Sequence, residues 1–288
     1  MQSATANKID NDWVVKKIQH FIDSHPDNRF PFYDAPIWKT PLVGFSSGAD
    51  ELYKLYKEDI GDFYQTPIEV FRAAFPEESV SPEDLSVICW ALPQSDYTRE
   101  QNRLQKEVPS LPWAYSRFFG DELNKSLCRY LLEELSQRGI HAASPYLNNP
   151  NWQKLISEKY GESGTWSERH AAYISGLGTF SLTDAVITSA GISVRFGSLI
   201  AKLPLDATRR PYTKYNEYCL QCGACIKRCP AHALSMDGHN KWKCKAYTRG
   251  TCKPYSAEHY DIDFHSCGLC QTGVPCERAI PAAHKSVN

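Results

Sequence analysis

The sequence predicts an α+β domain over residues 1–208, followed by a small module over 209–288 held by cysteine ligation rather than by an apolar core. Three observations lead there. Helical patterns and short apolar strand-like runs alternate through the first part of the chain. Nine of the eleven cysteines fall in the 58 residues from Cys219 to Cys276. From Tyr212 to Pro281, Gly, Pro, Cys and Lys dominate and apolar periodicity is nearly lost, so a hydrophobic core cannot hold that segment together.

The elements follow in order. Asp10 or Asn11 can cap a helix carrying Trp13, Val14, Ile18, Phe21 and Ile22. Pro26, Pro31, Pro36 and Pro41 then argue against regular structure. Leu52, Tyr53, Leu55, Tyr56 and Ile60 mark a second short helix. Leu85–Leu92, LSVICWAL, is short, apolar and flanked by turn residues, which suits a buried strand. The clearest helical pattern runs from Ser116 to Arg138, with Gly139 placed to end it. Two more strands are expected through Ala185–Ser189 and Val194–Ala201, joined by a turn at Ala190-Gly191. Cys89 and Cys128 sit in apolar patterns and read as core.

The net charge of -1 gives no global reason to bind nucleic acid or an anionic membrane. No apolar run reaches the length of a membrane span, and the start shows no export signal, so the expected compartment is the cytoplasm. Charge is nevertheless uneven. Residues 202–259 carry 11 Lys and Arg against 4 Asp and Glu, which suits either a solvated basic face or a docking surface for an acidic partner.

Residues 219–230 read CLQCGACIKRCP, the C-x2-C-x2-C-x3-C-P run of bacterial ferredoxins. Three thiolates at that spacing can reach three irons of one cubane, while the fourth, followed by Pro, turns to a second cluster. Zinc is the alternative, but zinc ribbons carry paired C-x2-C knuckles rather than four cysteines in one run. The crossover rule gives one 4Fe-4S cluster to Cys219, Cys222, Cys225 and Cys276. The other takes Cys229, Cys267, Cys270 and either Cys244 or Cys252. Cys244 is favoured because it lies nearer Cys229 in sequence; Cys252 is then a spare thiol.

Residues 167–205 resemble the signature of epoxyqueuosine reductases and reductive dehalogenases. Glu168, Ala171, Ala172, Gly176, Leu177, Gly178, Ile187, Arg195, Gly197 and Leu203-Pro204-Leu205 carry the match, and a double-cluster module follows at the family's spacing. The resemblance implies a nitroreductase-like α+β fold around a cobalamin, with electrons passing from an external donor, ferredoxin or flavodoxin, through both clusters to cobalt. It implies cofactor contacts at Gly176, Leu177, Gly178, Thr179, Phe180, Ser181, Arg195, Gly197 and Ser198. Read from the residues alone, Gly176 and Gly178 suit either close backbone approach to a flat macrocycle or a helix C-cap and tight turn.

Departures matter more for function. The family's G-L-G-W-x-G-K continues here as Gly178-Thr179-Phe180-Ser181-Leu182. The family's proton-donating Asp, six residues before the matching Glu, is Glu162. A desolvated Glu can perform that step, although Glu162 reads equally as a solvated loop acid. Tyr160, His170 and Tyr173 are other candidate donors. Neither the helical-repeat tail of epoxyqueuosine reductases nor the twin-arginine leader of dehalogenases is seen, and Cys270 to Cys276 is longer than the family's C-x3-C-P. A third branch is expected. Its leading reading is a cytoplasmic iron-sulfur, cobalamin-dependent reductase of a small organic or modified-nucleoside substrate. The alternative is an electron-transfer or corrinoid-reactivating protein. Transfer RNA is a disfavoured partner, given overall neutrality.

Overall fold

In the computed structural model, which describes residues 9–282, the Asp10 carboxylate accepts from the Trp13 amide and opens the helix Asn11–Ser24. Val14, Ile18 and Ile22 form its buried stripe. The prolines that follow do not abolish regular structure, contrary to expectation. Arg29–Phe30 and Tyr33–Pro36 pair as a short antiparallel hairpin, with Pro31 in its connection and Pro36 at its end, where the ladder loses least.

The central sheet is antiparallel throughout, in the order Leu42–Ser47, Ser86–Pro93, Val194–Ala201, Ala142–Ala143. Ser86–Pro93, the strand expected at Leu85–Leu92, is buried along its whole length. Its side chains alternate between two cores, which is why the run is apolar without a break. Ile88, Trp90 and Leu92 join the core of the helix Asn11–Ser24 and the long helix Leu111–Ser136. Val87, Cys89 and Ala91 join the core of the helices Glu51–Ile60, Pro67–Ala74 and Glu168–Ile174. Cys89 and Cys128 are thus core residues, as expected.

The long helix starts five residues before the expected Ser116. Ser110 accepts from the Trp113 amide and Pro112 lies in the first turn, both helix-opening features that apolar spacing does not register. Gly139, at φ +72°, ends it as expected. Val186–Thr188 and Val194–Ala201 are the two strands expected around Ala190-Gly191. They part company after the turn: the first pairs with Gly178–Phe180, the second with the central sheet.

The module is more helical than its sequence suggested. Lys241–Tyr247, a π-helical turn at Thr248–Cys252 and Lys253–Tyr260 run end to end. They need no apolar stripe, because they dock partly through tyrosine hydroxyls: Tyr247 donates to the Glu107 carbonyl and Tyr260 to that of Pro109. Among the described residues no helix is long and apolar enough to cross a membrane.

Gly197 faces Trp90 across the sheet, and a Cβ there would lie 2.5 Å from the indole ring. Gly197→Ala is therefore expected to cost about 1–3 kcal/mol of stability through overpacking. Urea unfolding reads this as a lower midpoint at unchanged slope; an unchanged midpoint would show that the ring can move aside.

Candidate metal centres and an adjoining chamber

The first cysteine run winds through two left-handed residues, Gln221 at φ +50° and Gly223 at φ +71°. That winding brings Cys219, Cys222 and Cys225 together, and Cys276 returns to join them. Burial, then the Cys219 and Cys222 thiols, push Cys225 up; burial and then Cys219, Cys225 and Cys222 raise Cys276 to about 12. Ala185, Ile187, Ile192 and Val274 pack beneath this group.

A second group gathers Cys229, Cys244, Cys252, Cys267 and Cys270. Burial raises Cys270, and Cys267, Cys244 and Cys229 add to it. Cys252 and Cys267 are neighbours and act on each other, Cys267 pushing Cys252 up and Cys252 holding Cys267 down. The Ala233 amide donates to the Cys229 sulfur at 3.4 Å, the kind of contact that tunes a cluster's potential. Among the described residues no three His, Cys, Asp or Glu side chains are arranged to hold a single metal ion. Thiols spread around a larger cluster are consistent with that geometry.

Beside the second group lies a recess, here called the chamber. Tyr146 keeps 44% of its surface free and Arg169 is exposed, yet protein surrounds both. Arg117 and Arg195 reach the same space, and Cys270 lies close enough to act on Arg169. Burial, then repulsion from Arg195, lowers Arg117 to about 9. Asp121 is shared: Arg195 is ion-paired to it, Arg117 stands at 3.9 Å and Lys125 at 3.7 Å. Arg117 Nη1, Arg195 Nε, Trp152 Nε1 and Glu168 Oε2 are buried without a hydrogen-bond partner. Burial raises the Glu168 carboxyl to about 7. An open cleft of about 190 Å³ adjoins the chamber through Lys241, which is near Arg169, and His265, which is near Arg117; Lys154, Glu162, Lys245 and Arg249 also line it.

The residues singled out from sequence divide sharply. Glu162 lies at this cleft, ion-paired to Lys245 with Lys154 at 3.8 Å, and the Lys245 hydrogen bond holds its carboxyl below the usual range. It is therefore ionised at neutral pH and has no proton to give. Tyr160 donates to Asp59, and burial leaves His170 neutral, lowered to about 3. The Tyr173 ring packs against Tyr212.

Arg195 faces the chamber, but the small residues around it turn to protein. A Cβ on Gly176 would meet Thr208 at 3.0 Å, and one on Gly178 the Ile187 carbonyl at 2.0 Å. Leu177 is buried in the core. The Thr179 hydroxyl accepts from the Tyr218 amide, and the Ser198 hydroxyl from the Trp166 indole. Phe180 lies against His170, and the Ser181 and Thr183 hydroxyls bond each other. Arg117, Tyr146, Arg169 and Lys241 were not anticipated. Single polar residues on a helix or loop carry no sequence signal of a shared space.

Three comparisons bear on these features. A family model described as a 4Fe-4S binding domain matches residues 212–235. A trichloroethene reductive dehalogenase of Dehalococcoides mccartyi is 30% identical over 114 residues, which cover 38% of this chain and 18% of that protein. Among solved structures, the catabolic reductive dehalogenase NpRdhA in complex with 3-bromo-4-hydroxybenzoic acid matches 83% of this chain and 30% of its own at a TM-score of 0.51 and 16% identity. A reductive dehalogenase described for B12-dependent dehalogenation matches the same shares at 0.48 and 17%. An epoxyqueuosine reductase from Streptococcus thermophilus matches 84% of this chain and 64% of its own at 0.45 and 16%. The likeness to NpRdhA is one of fold, and this chain spans less than a third of the dehalogenases it matches. Together the sequence match, that fold and the cluster-binding model support the superfamily that the signature resembles.

Two predictions follow from the site. Gly268, between Cys267 and Leu269 at φ +69°, lies flat on Trp113, where a Cβ would come within 1.9 Å of the ring. Gly268→Ala is expected to displace Cys267 and lower the iron content of the purified protein, read by metal analysis. Glu168, raised from 4.5 to about 7, binds its proton more tightly folded than unfolded. Its contribution to stability is thus complete below pH 4.5 and is lost as pH rises towards 7. Chemical denaturation across that range should show the decline, and Glu168→Gln should remove it.

Proposed function

We propose that the chain is a cytoplasmic, cobalamin-dependent iron-sulfur reductase acting on a small organic or modified-nucleoside substrate, and supplied by a low-potential ferredoxin or flavodoxin. The observation that carries this reading is the gathering of the module's cysteines into two groups, with Cys270 of the second beside the exposed Arg169. On this reading residues 1–208 form a nitroreductase-like cofactor domain and 209–288 the double-cluster module.

Cys219, Cys222, Cys225 and Cys276 would hold one 4Fe-4S cluster, and Cys229, Cys244, Cys267 and Cys270 the other, supplying one-electron transfer between a donor and the chamber. Cys244 is favoured over Cys252 as fourth ligand because it lies nearer Cys229 in sequence and is among the thiols that act on Cys270. The chamber suits a cobalamin in its exposed groups: the Tyr146 ring offers a flat face and the Arg169 guanidinium donors for the amide carbonyls at a corrin's rim. When bound, that group supplies a cobalt centre for reductive chemistry.

The protein's own groups do the rest. Burial raises the Tyr146 phenol, so it keeps its proton at neutral pH and stands in the chamber as a donor. Glu162 lies at the cleft and would hold a proton to give where substrate both parts it from Lys245 and desolvates it. Arg195, fixed by Asp121, orients what enters.

The test is metal analysis of anaerobically purified protein made with cobalamin supplied. About eight irons and about one cobalt per chain are expected. Cys244→Ser should lower iron to about four, whereas Cys252→Ser should leave about eight. Iron without cobalt would replace this reading by that of an electron-transfer protein.

A further inference from the structure

Electrons supplied by a carrier enter through the protein surface, and the two thiol groups meet that surface differently. Cys222 of the first group is the one exposed cysteine among the described residues, whereas those of the second group are half-buried or buried. The lining around the first group is apolar, with Leu182, Leu220, Val274 and Pro275 beside the thiols. The apolar face continues outwards. Pro281 also lines the group, and Ile280 before it keeps 39% of its surface free. Tyr215, 64% free, is fixed alongside, because its carbonyl accepts from the amide of Phe180, next to Ser181 and Leu182 of the lining.

Charge on this face is arranged for an anionic partner. Lys214, beside Tyr215, and Lys227, two residues after Cys225 in the helix Ala224–Arg228, are both exposed. The neighbouring carboxylates are engaged. Glu217 Oε2 accepts from the Thr213 and Lys214 amides, Asp184 is bonded to His239 at 3.0 Å, and the buried Glu277 is held by Arg103 and Arg278. A cubane held by four thiolates is net negative, so a partner that is itself acidic needs cations at the rim to come close. The cleft at Glu162 has more cations, but its volume of about 190 Å³ admits no folded protein, and the cysteine on its wall, Cys244, is half-buried.

We infer that this face docks a small acidic electron-carrier protein, with the apolar surface around Cys222 at the centre of the contact and Lys214 and Lys227 at its rim. One electron passes per encounter: the carrier is oxidised, the cluster behind Cys222 is reduced, and no bond or proton is exchanged. Charge at the rim of a small interface acts mainly on the rate of encounter, which suits a partner that must leave after each electron. The inference rests on the reductase reading for its clusters and its donor, and names where that donor binds.

Stopped-flow reduction of the anaerobic, iron-replete protein tests it. Reduced flavodoxin and a reduced 2Fe-2S ferredoxin, both acidic, are the carriers, and dithionite is the small-molecule control. Iron and cobalt are counted in the same preparation, so a failure of the reductase reading shows in the metals and a failure of the inference in the rates. At low salt at least one carrier is expected to reduce the protein, at a rate that falls as salt is added. Lys214→Glu and Lys227→Glu together should lower that rate by at least about tenfold, with iron content and the extent of reduction by dithionite unchanged. Arg249→Glu, at the cleft, should leave the carrier's rate as it is. Equal rates at low and high salt, or no reduction by either carrier where dithionite reduces the clusters, would overturn the inference on the unaltered protein, even where a variant fails to fold. So would a rate that survives the paired substitution, or one lost in Arg249→Glu instead.

Discussion

The joint between the cysteine loops and the rest of the protein hangs on Arg228, the residue before Cys229. Its guanidinium donates to four backbone carbonyls: Asn102 and Gln105 on the domain side, Leu269 and Thr272 in the second cysteine loop. A guanidinium taken out of water is costly unless its donors are filled, and here the two loops and the domain are positioned by filling them. Asn102 completes the joint. Its side chain donates to Thr272 Oγ1 and accepts from the Ser110 amide, the residue that also caps the long helix. One polar cluster thus sets the start of the long helix, the path of the second cysteine loop and the exit of the first. Apolar contacts such as Phe264 on Phe118 add to it, while the small satellite core lies beneath the first thiol group.

The chamber is a consequence of that joint. Arg117 projects from the long helix two turns after its start, Arg169 from the helix Glu168–Ile174, and Lys241 from the helical run that the module's tyrosines dock onto the domain. Three elements distant in sequence meet around a space none of them encloses alone. The charges that face it repel one another, and burial lowers Arg117 further. Such an arrangement persists because packing elsewhere holds it: the strand Ser86–Pro93, buried on both faces, and the rings of Trp90 and Trp166 fix the sheet beneath.

What was legible in the sequence follows from what is local. Ser86–Pro93 could be read because eight consecutive residues are buried, and the helix Asn11–Ser24 because its stripe repeats at helical spacing. The grouping of the cysteines could be anticipated from their intervals, which left Cys244 and Cys252 as alternatives for one position. The helical run Lys241–Tyr260 escaped because it is held by hydroxyl-to-carbonyl bonds and by thiols, neither of which leaves a periodic trace. The start of the long helix escaped because Ser110 and Pro112 act through the cap rather than through apolar spacing. Arg117, Tyr146 and Arg169 escaped for a deeper reason: a chamber is a property of tertiary closure, and no window of sequence contains it.

The signature glycines show how a motif can be informative about ancestry and silent about chemistry. Gly176 and Gly178 read naturally as a cradle for a flat cofactor, yet the space a side chain would need at each is taken by Thr208 and by the Ile187 carbonyl. Gly197 is required by Trp90, whose indole donates to Asn124 at 2.7 Å, and Asn124 in turn donates to the Phe196 carbonyl. These positions secure the sheet and the turn that follows the helix Glu168–Ile174, so any chain that keeps this scaffold must keep them whatever it reduces. Residues that discriminate among ligands are free of that constraint. On the proposed reading they include the half-buried Arg117 and Lys241 and the exposed Tyr146, all outside the signature. A signature of this kind therefore identifies the frame, and the side chains it leaves unspecified decide what the frame holds.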